Sequence, residues 1–223
     1  MEETAKRADD AKDSLMRELC AVAREGGAED AVVISTKDII TDPRVRFKCM
    51  ISPCYCCGTC RHCPPYGYSL AEVRAKVAQY EKAIFFRIAA DQSSISAPGM
   101  ARACENLVFD DEGGILKTGT YFIISFQIVA LIEQHARQFG YEPVGFAASD
   151  CRVTLCFIHP GCRAIKDKTK CRHPDLSRPS MESCGMDAFA MAANMGWDIY
   201  PLGSCSRPGD APRASVLGLV LVY

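Results

Sequence analysis

Five cysteines lie within ten residues of this chain, between Cys54 and Cys63, and a pair of prolines follows them. Four of the five, Cys54, Cys57, Cys60 and Cys63, are spaced three residues apart. The bacterial ferredoxin motif C-x2-C-x2-C-x3-C-P is one residue longer at its last step. Disulfides between such close neighbours would be strained, because a disulfide requires a particular Cα separation and Cβ direction. The run therefore predicts several thiolates that converge on a metal or iron–sulfur centre.

The composition sets these cysteines in an ordinary globular chain. The 223 residues are 48% hydrophobic and 24% charged, which is enough for one substantial core. We expect a single domain over residues 1–223, with a first cysteine loop at 49–63 and a second at 151–171. The formal net charge of −1 provides no positive field for nucleic acid or an anionic membrane. The longest apolar stretch, residues 121–132, is too short to cross a bilayer.

The N-terminal sequence favours a cytoplasmic protein. Residues 1–20 mix both charge signs and lack the apolar segment of a secretory signal. In a reducing compartment, fourteen cysteines are better explained as thiolate ligands than as a disulfide framework. We expect a redox partner protein or enzyme and no contact with nucleic acid or membrane, and a homodimer is left open.

Hydrophobic spacing predicts an α+β or α/β fold, with a mixed central sheet and helices packed on it. Helices are expected over residues 5–25, 69–80, 120–139 and 186–195. Strands are expected over residues 31–35, 45–49, 83–89, 144–148, 197–202 and 216–222. Twice in this pattern a strand leads into a cysteine-rich loop, so both loops should lie near one end of the molecule. Residues 91–119 are polar and predict a surface excursion.

Four more cysteines lie within twenty-one residues, namely Cys151, Cys156, Cys162 and Cys171. Their spacings of five, six and nine residues are looser than those of ferredoxin motifs, but this density in loop-like sequence favours a metal site. The alternative is a set of unligated thiols beneath a loop, because free cysteine is often a small buried residue. His159 and His173 are interpreted as neighbours of the site, since four thiolates already suffice.

The two groups together give nine candidate metal ligands: Cys49, Cys54, Cys57, Cys60, Cys63, Cys151, Cys156, Cys162 and Cys171. A dense run ending in Cys-Pro favours iron–sulfur, because structural zinc sites usually take ligand pairs from two sides of a knuckle. We therefore predict one or two [4Fe-4S] clusters, with zinc as the alternative. Among the other cysteines, Cys20 is expected in the core. Cys184 is the best candidate for a reactive thiol, although burial at a helix start is favoured for it.

The chain resembles a cysteine-rich family of unknown function, described as predicted metal-binding proteins and often found in anaerobes. The resemblance covers residues 45–88 and 140–202, and is carried by Lys48-Cys49, Cys54, Cys63-Pro64-Pro65, Cys171-Arg172-His173-Pro174 and the stretch RPSMESCGMD at 178–187. It implies metal or iron–sulfur binding without a settled reaction. The family's first ligand set would correspond to Cys49, Cys54 and Cys63, and its second to the four cysteines of the later group, which are more widely spaced here.

Four further side chains are candidates for contact with such a cofactor: Arg172, Arg178, Ser180 and Glu182. The two arginines would offset the negative charge of a thiolate-ligated cluster. Ser180 can cap the following helix and Glu182 can reciprocate with backbone donors, and a plain helix start explains both equally well. Asp187 would pair with an arginine or favour the positive end of that helix.

Three functions fit these residues. The one we expect is an electron-transfer or redox-accessory protein with one or two [4Fe-4S] clusters. The second is an enzyme that acts on a sulfur-containing or small organic substrate at an open iron of its cluster. That cluster would be held by Cys49, Cys54 and Cys63, with Cys57 or Cys60 as an optional ligand, and Glu182, Asp187 or Cys184 would carry protons. The third is a zinc-stabilised interaction module or metal carrier. Whether the protein is catalytic is left open.

Overall fold

The computed structural model describes residues 2–51, 54, 56–92, 114–200, 202 and 209–223. Within them the chain forms seven α-helices: α1 (Glu2–Glu25), α2 (Pro43–Ile51), α3 (Leu70–Val77), α4 (Gly114–Gln138), α5 (Cys151–Leu155), α6 (Arg163–Lys166) and α7 (Ala188–Asn194). Its strands are β1 (Asp30–Ser35), β2 (Lys82–Ala90), β3 (Val144–Phe146) and β4 (Ala214–Leu221). Short 3-10 turns occupy Thr36–Asp38 and Glu182–Cys184.

The strands form one sheet in the order β1-β2-β4-β3, and each of its three pairings is antiparallel. The α+β prediction is confirmed, but the sheet is antiparallel rather than mixed. The register gives the physical reason. Ser35, the last residue of β1, pairs with Lys82, the first residue of β2. The connection through α2 and α3 therefore leaves and re-enters at the same end of the sheet, which turns the strands in opposite directions.

Both faces of the central strand β2 are covered. Ile84 and Phe86 point into a core shared with Leu19 of α1 and with Phe126 and Ile132 of α4. On the opposite face, Phe85 packs in a second core with Trp197, residues of α7 and the Glu182–Cys184 turn. Alternate residues of a strand point to opposite faces, so an uninterrupted apolar run such as IFF requires a layer on each side.

A buried carboxylate on α4 holds the second cysteine segment against this scaffold. Glu133 is 1% exposed and accepts hydrogen bonds from Arg178 at 2.9 and 2.6 Å and from Arg137 at 2.9 Å. Its Oε1 also accepts the backbone N–H of Gly145 in β3 at 2.8 Å. A Cβ at position 145 would lie 2.1 Å from Val129, so only glycine allows this approach. Arg178 thereby ties the chain after Cys171 to α4.

Two expected strands are absent from the described part of the chain. Residues 45–49 belong to α2, which starts where the Asp42 carboxylate accepts the backbone N–H of Arg44 at 2.7 Å and Pro43 takes the first helical position. Apolar and charged residues alternate in VRFKC as they would in a half-buried strand. The segment is instead a helix that is largely exposed and therefore has no continuous apolar face. Residues 197–200 are not a strand, and 201 lies outside the described residues. The first cysteine loop therefore follows a helix.

Other predicted boundaries agree closely with the structure. Ser69 and Glu72 form the expected capping box of α3, and α4 ends before Gly140, whose φ is +82°. The predicted excursion at 91–119 falls mostly on residues 93–113, which lie outside the described residues, whereas 114–119 belong to α4. None of the helices that the structure describes is long and apolar enough to span a bilayer.

Arg178→Ala should lower the free energy of unfolding by about 3 kcal/mol, because it leaves the buried Glu133 carboxylate without its best partner. Arg137→Ala is the matched control, since Arg137 contacts the same Oε2 atom but its side chain is 51% exposed, and it should cost less than about 1 kcal/mol. Urea unfolding of both variants measures the difference. Equal losses would contradict this role for Arg178.

Candidate metal centre

The two cysteine loops meet at the carboxylate of Asp150, which is 4% exposed. Its Oδ1 caps α5 by accepting the backbone N–H groups of Arg152 and Val153. Its Oδ2 accepts the Cys63 thiol at 2.8 Å and the Thr59 hydroxyl at 3.3 Å. One side chain therefore orients the helix that begins at Cys151 and also fixes the first loop, whose residues lie about ninety positions away in the sequence.

Thiols from both loops line one cavity. It is bounded by five cysteines, four arginines and two small residues: Cys60, Cys151, Cys156, Cys162, Cys171, Arg61, Arg152, Arg163, Arg172, Ala164 and Ser177. We call this the cysteine cavity. None of the described residues that line it is acidic. Five cysteines gathered around one small cavity, with arginines close by, are an environment suited to an anionic, thiolate-ligated metal centre.

Local contacts orient the sulfurs of the cysteine cavity. Cys60 and Cys151 each shift the pKa of the other, and Arg172 acts to lower the pKa of Cys156. The backbone N–H of His62 donates to Cys60 Sγ at 3.4 Å, and that of His173 donates to Cys171 Sγ at 3.4 Å. Such N–H···S bonds favour a sulfur that carries negative charge, as a metal-bound thiolate does.

Their surroundings raise the pKa of three thiols of the cysteine cavity, those of Cys60, Cys151 and Cys156. The hydrogen bond with Cys60, followed by burial, raises the pKa of Cys151 well above its usual range. For Cys60, the bond with Cys151 acts to lower the pKa, but the bond with Cys63 and burial outweigh it, so the pKa is raised. Burial is the main cause that raises the pKa of Cys156. Ligation by these residues must therefore release protons to solvent.

The other cysteines of the first loop form a separate group outside the cysteine cavity. Cys54 is exposed, and hydrogen bonds from Cys49, from the Cys56 thiol and from the backbone of Cys56 and Cys57 lower its pKa to about 2. The same bond with Cys54, together with burial, raises the pKa of Cys49. The predicted first set is thus divided, because Cys60 and Cys63 turn toward the second loop.

The four residues predicted to contact a cofactor have different surroundings. Arg172 lines the cysteine cavity and donates to the Gly161 carbonyl at 3.0 Å. The guanidinium of Arg178 forms a salt bridge with the carboxylate of Glu133. Ser180 Oγ accepts the backbone N–H of Ser183 at 3.1 Å, and the cap of α7 is Asp187 instead. Glu182 is half-buried, burial raises its pKa, and its charge acts on Cys49.

The predictions for the remaining residues meet different outcomes. Asp187 caps α7 by accepting the Ala190 N–H at 3.0 Å and makes no ion pair with Arg172 or Arg178 among the described contacts. Cys20 and Cys184 are buried, which agrees with the expectation for Cys20 and the favoured alternative for Cys184. The twelve described cysteines are all free thiols, while Cys104 and Cys205 lie outside the described residues.

Sequence reasoning missed three residues that shape the site. Asp150 carried a usable signal, since an aspartate directly before a short helix is a common cap. Arg152 donates to the carbonyls of Cys156 and His159 and so folds the second loop over the cavity. Ser177 is 6% exposed and its hydroxyl lines the cavity beside Cys151. The contacts of Arg152 are four and seven residues along the chain in an irregular loop, whereas the position of Ser177 beside Cys151 depends on tertiary structure.

The sequence model of DUF2284, described as a predicted metal-binding protein family, matches residues 32–222, which include both cysteine loops. The chain belongs to this family. No curated protein and no solved structure matches it. The family description agrees with the donor set, because Cys60, Cys63 and Asp150 place one possible ligand atom each within 4.8 Å of one another. This DUF2284 protein therefore has a candidate metal centre where its two loops meet.

The described thiols should differ sharply in reactivity. Because Cys54 is exposed and its hydrogen bonds lower the pKa of its thiol, it should react first with iodoacetamide at pH 7 in chelator-treated protein. Burial raises the pKa of Cys184 to about 12 and that of Cys20 to about 11, so both should react only after unfolding. Peptide mass spectrometry over time measures the order. Rapid labelling of Cys184 in the folded protein would contradict this assignment.

Proposed function

We propose that this DUF2284 protein holds a [4Fe-4S] cluster in the cysteine cavity and exchanges electrons with a redox partner protein. The observation that carries the proposal is that five cysteines and four arginines from the two loops border one cavity. A bound [4Fe-4S] cluster supplies a reversible one-electron change at low potential. The ligands would be Cys151, Cys156, Cys162 and Cys171, with Cys60 as a fifth thiol in the wall.

The charges around the cysteine cavity support a redox role. Four thiolates give the centre a negative charge, and reduction adds another. Arg152 and Arg172 are partly buried at the wall and are held by backbone carbonyls, so their guanidinium groups are fixed in position. Fixed positive charge stabilises the reduced state more than the oxidised state and raises the reduction potential. His62 adds no charge, because burial and the neighbouring Arg61 and Arg178 lower its pKa to about 4.

The number of thiols and their positions in the chain favour an iron–sulfur cluster over a zinc ion. A structural zinc ion needs four ligands, usually in two local pairs. The cavity instead takes thiols from residue 60, from 151–162 and from 171, and two of them accept backbone N–H groups. Zinc remains the alternative occupant, and the two differ in colour and in redox behaviour.

The group around Cys54 is the candidate for a second cluster. Cys49, Cys54 and Cys57 would be its ligands, with Cys56 beside them. Because Cys54 is exposed, this group lies where a partner protein can approach. We propose that it either holds the second cluster or marks the side on which electrons enter.

Anaerobic purification followed by iron and sulfide analysis tests the proposal. We expect a brown protein with about four iron and four sulfide per occupied cluster and an absorption that dithionite bleaches. Cys156→Ser and Cys171→Ser should each lose most of the iron assigned to the cavity, whereas Cys20→Ser, at a buried thiol in the α1 core, should keep it. A colourless protein with one equivalent of zinc and no sulfide would refute the proposal.

Arg172→Gln should lower the reduction potential of the cluster by an amount on the order of tens of millivolts, because it removes positive charge next to Cys156. Arg163→Gln is the control, since Arg163 is more exposed and donates to Thr169 at 2.7 Å. Its potential should change less. Redox titration monitored by electron paramagnetic resonance measures both. An unchanged potential in Arg172→Gln would contradict the proposed charge effect.

A further inference from the structure

We infer that Cys60, Cys63 and Asp150 form a second metal site, for a single divalent transition-metal ion, beside the cluster. Their ligand atoms all lie within 4.8 Å of one another. Four cysteines of the second loop are enough for a cubane, which leaves the Cys60 thiol available to face Cys63 and Asp150. Of these three residues, Cys60 is the one that also lines the cysteine cavity. An experiment can therefore exclude this second site without excluding the cluster.

The hydrogen bonds of Asp150 leave one oxygen suited to a metal. Oδ1 is used by the backbone of α5, whereas Oδ2 receives the Cys63 thiol at 2.8 Å and the Thr59 hydroxyl at 3.3 Å. A divalent ion would take the position of the Cys63 thiol proton between sulfur and carboxylate oxygen. Thr59 would then be the outer hydrogen-bond partner that fixes the direction of the carboxylate, as partners of metal ligands usually do.

Distances and burial are compatible with such an ion. Ligands of a tetrahedral ion with bonds of about 2.3 Å lie about 3.7 Å apart, so closure from the present positions requires a movement of about 1 Å at most. Cys60 is 0% exposed and Asp150 is 4% exposed, so the site is shielded from water on two sides. Cys63 is half-buried and leaves a route for the ion to enter.

The donor set selects a borderline ion. Two thiolates and one carboxylate suit zinc or ferrous iron better than magnesium or calcium, which prefer oxygen ligands. Three protein ligands leave the fourth tetrahedral position open, which is the arrangement of catalytic rather than structural zinc sites. The open position would take water or an exchangeable thiolate, and it would lie next to a centre that can deliver electrons.

Cobalt(II) is the probe for this site, because its tetrahedral thiolate complexes absorb visible light. Cluster-loaded protein carrying Cys54→Ser, which removes the exposed thiol of the other group, is titrated anaerobically with CoCl2. We expect one equivalent to bind with ligand-field and thiolate charge-transfer bands. Cys63→Ser should weaken the charge-transfer band, and Asp150→Asn should raise the cobalt Kd at least about tenfold. Both variants should keep the iron assigned to Cys151, Cys156, Cys162 and Cys171, because an asparagine at position 150 can still cap α5 through its Oδ1.

Asp187→Asn is the matched control for Asp150→Asn. Both aspartates cap a helix through Oδ1, and an asparagine can still do so, but Asp187 has no thiol partner among the described contacts. The control should bind cobalt as the parent does. Absence of cobalt bands, or bands unaffected by both Cys63→Ser and Asp150→Asn, would overturn the inference while leaving the cluster intact. Loss of iron together with cobalt in both variants would also overturn it, because the residues would then belong to the cluster.

Discussion

The arrangement of both cysteine loops depends on the buried carboxylate of Asp150. One of its oxygens fixes the start of α5, and with it Cys151, while the other receives Cys63 and Thr59 from the first loop. Four of the five cysteines around the cysteine cavity come from the second loop, and Cys60 adds a fifth from the first loop. The candidate metal centre of this DUF2284 protein therefore lies at the contact between the loops.

The sheet and its helices supply the rigid frame for that contact. Glu133 on α4 binds Arg178 and the backbone of Gly145, so the segment after Cys171 is anchored to β3. β3 leads directly through Ala147 to Ser149 and Asp150, and Ser149 adopts a φ of +68° to turn the chain into α5. A positive φ at a non-glycine residue is uncommon and occurs often beside functional sites. The buried carboxylate of Glu133 thus stabilises the fold, whereas the buried carboxylate of Asp150 orients the candidate ligands.

Local patterns made much of the scaffold predictable from sequence. The apolar run of β2, the capping box of α3 and the end of α4 before Gly140 are each encoded within a few residues. Helix α2 was mistaken for a strand because an exposed helix has little hydrophobic periodicity to distinguish it. The sequence also did not reveal that the first cysteine group is divided. Spacing along the chain does not show which thiols turn toward Asp150, about ninety residues away. Arg178 was assigned to the cofactor for the same reason, since its partner Glu133 lies on a different helix.

Anomalous diffraction from crystals of anaerobically purified protein, collected on both sides of the iron absorption edge, tests the central claim most directly. A cluster in the cysteine cavity would give strong iron density among Cys60, Cys151, Cys156, Cys162 and Cys171, with Arg172 next to it. Iron density only elsewhere, density at the zinc edge inside the ring, or five thiols without any metal between them would contradict it.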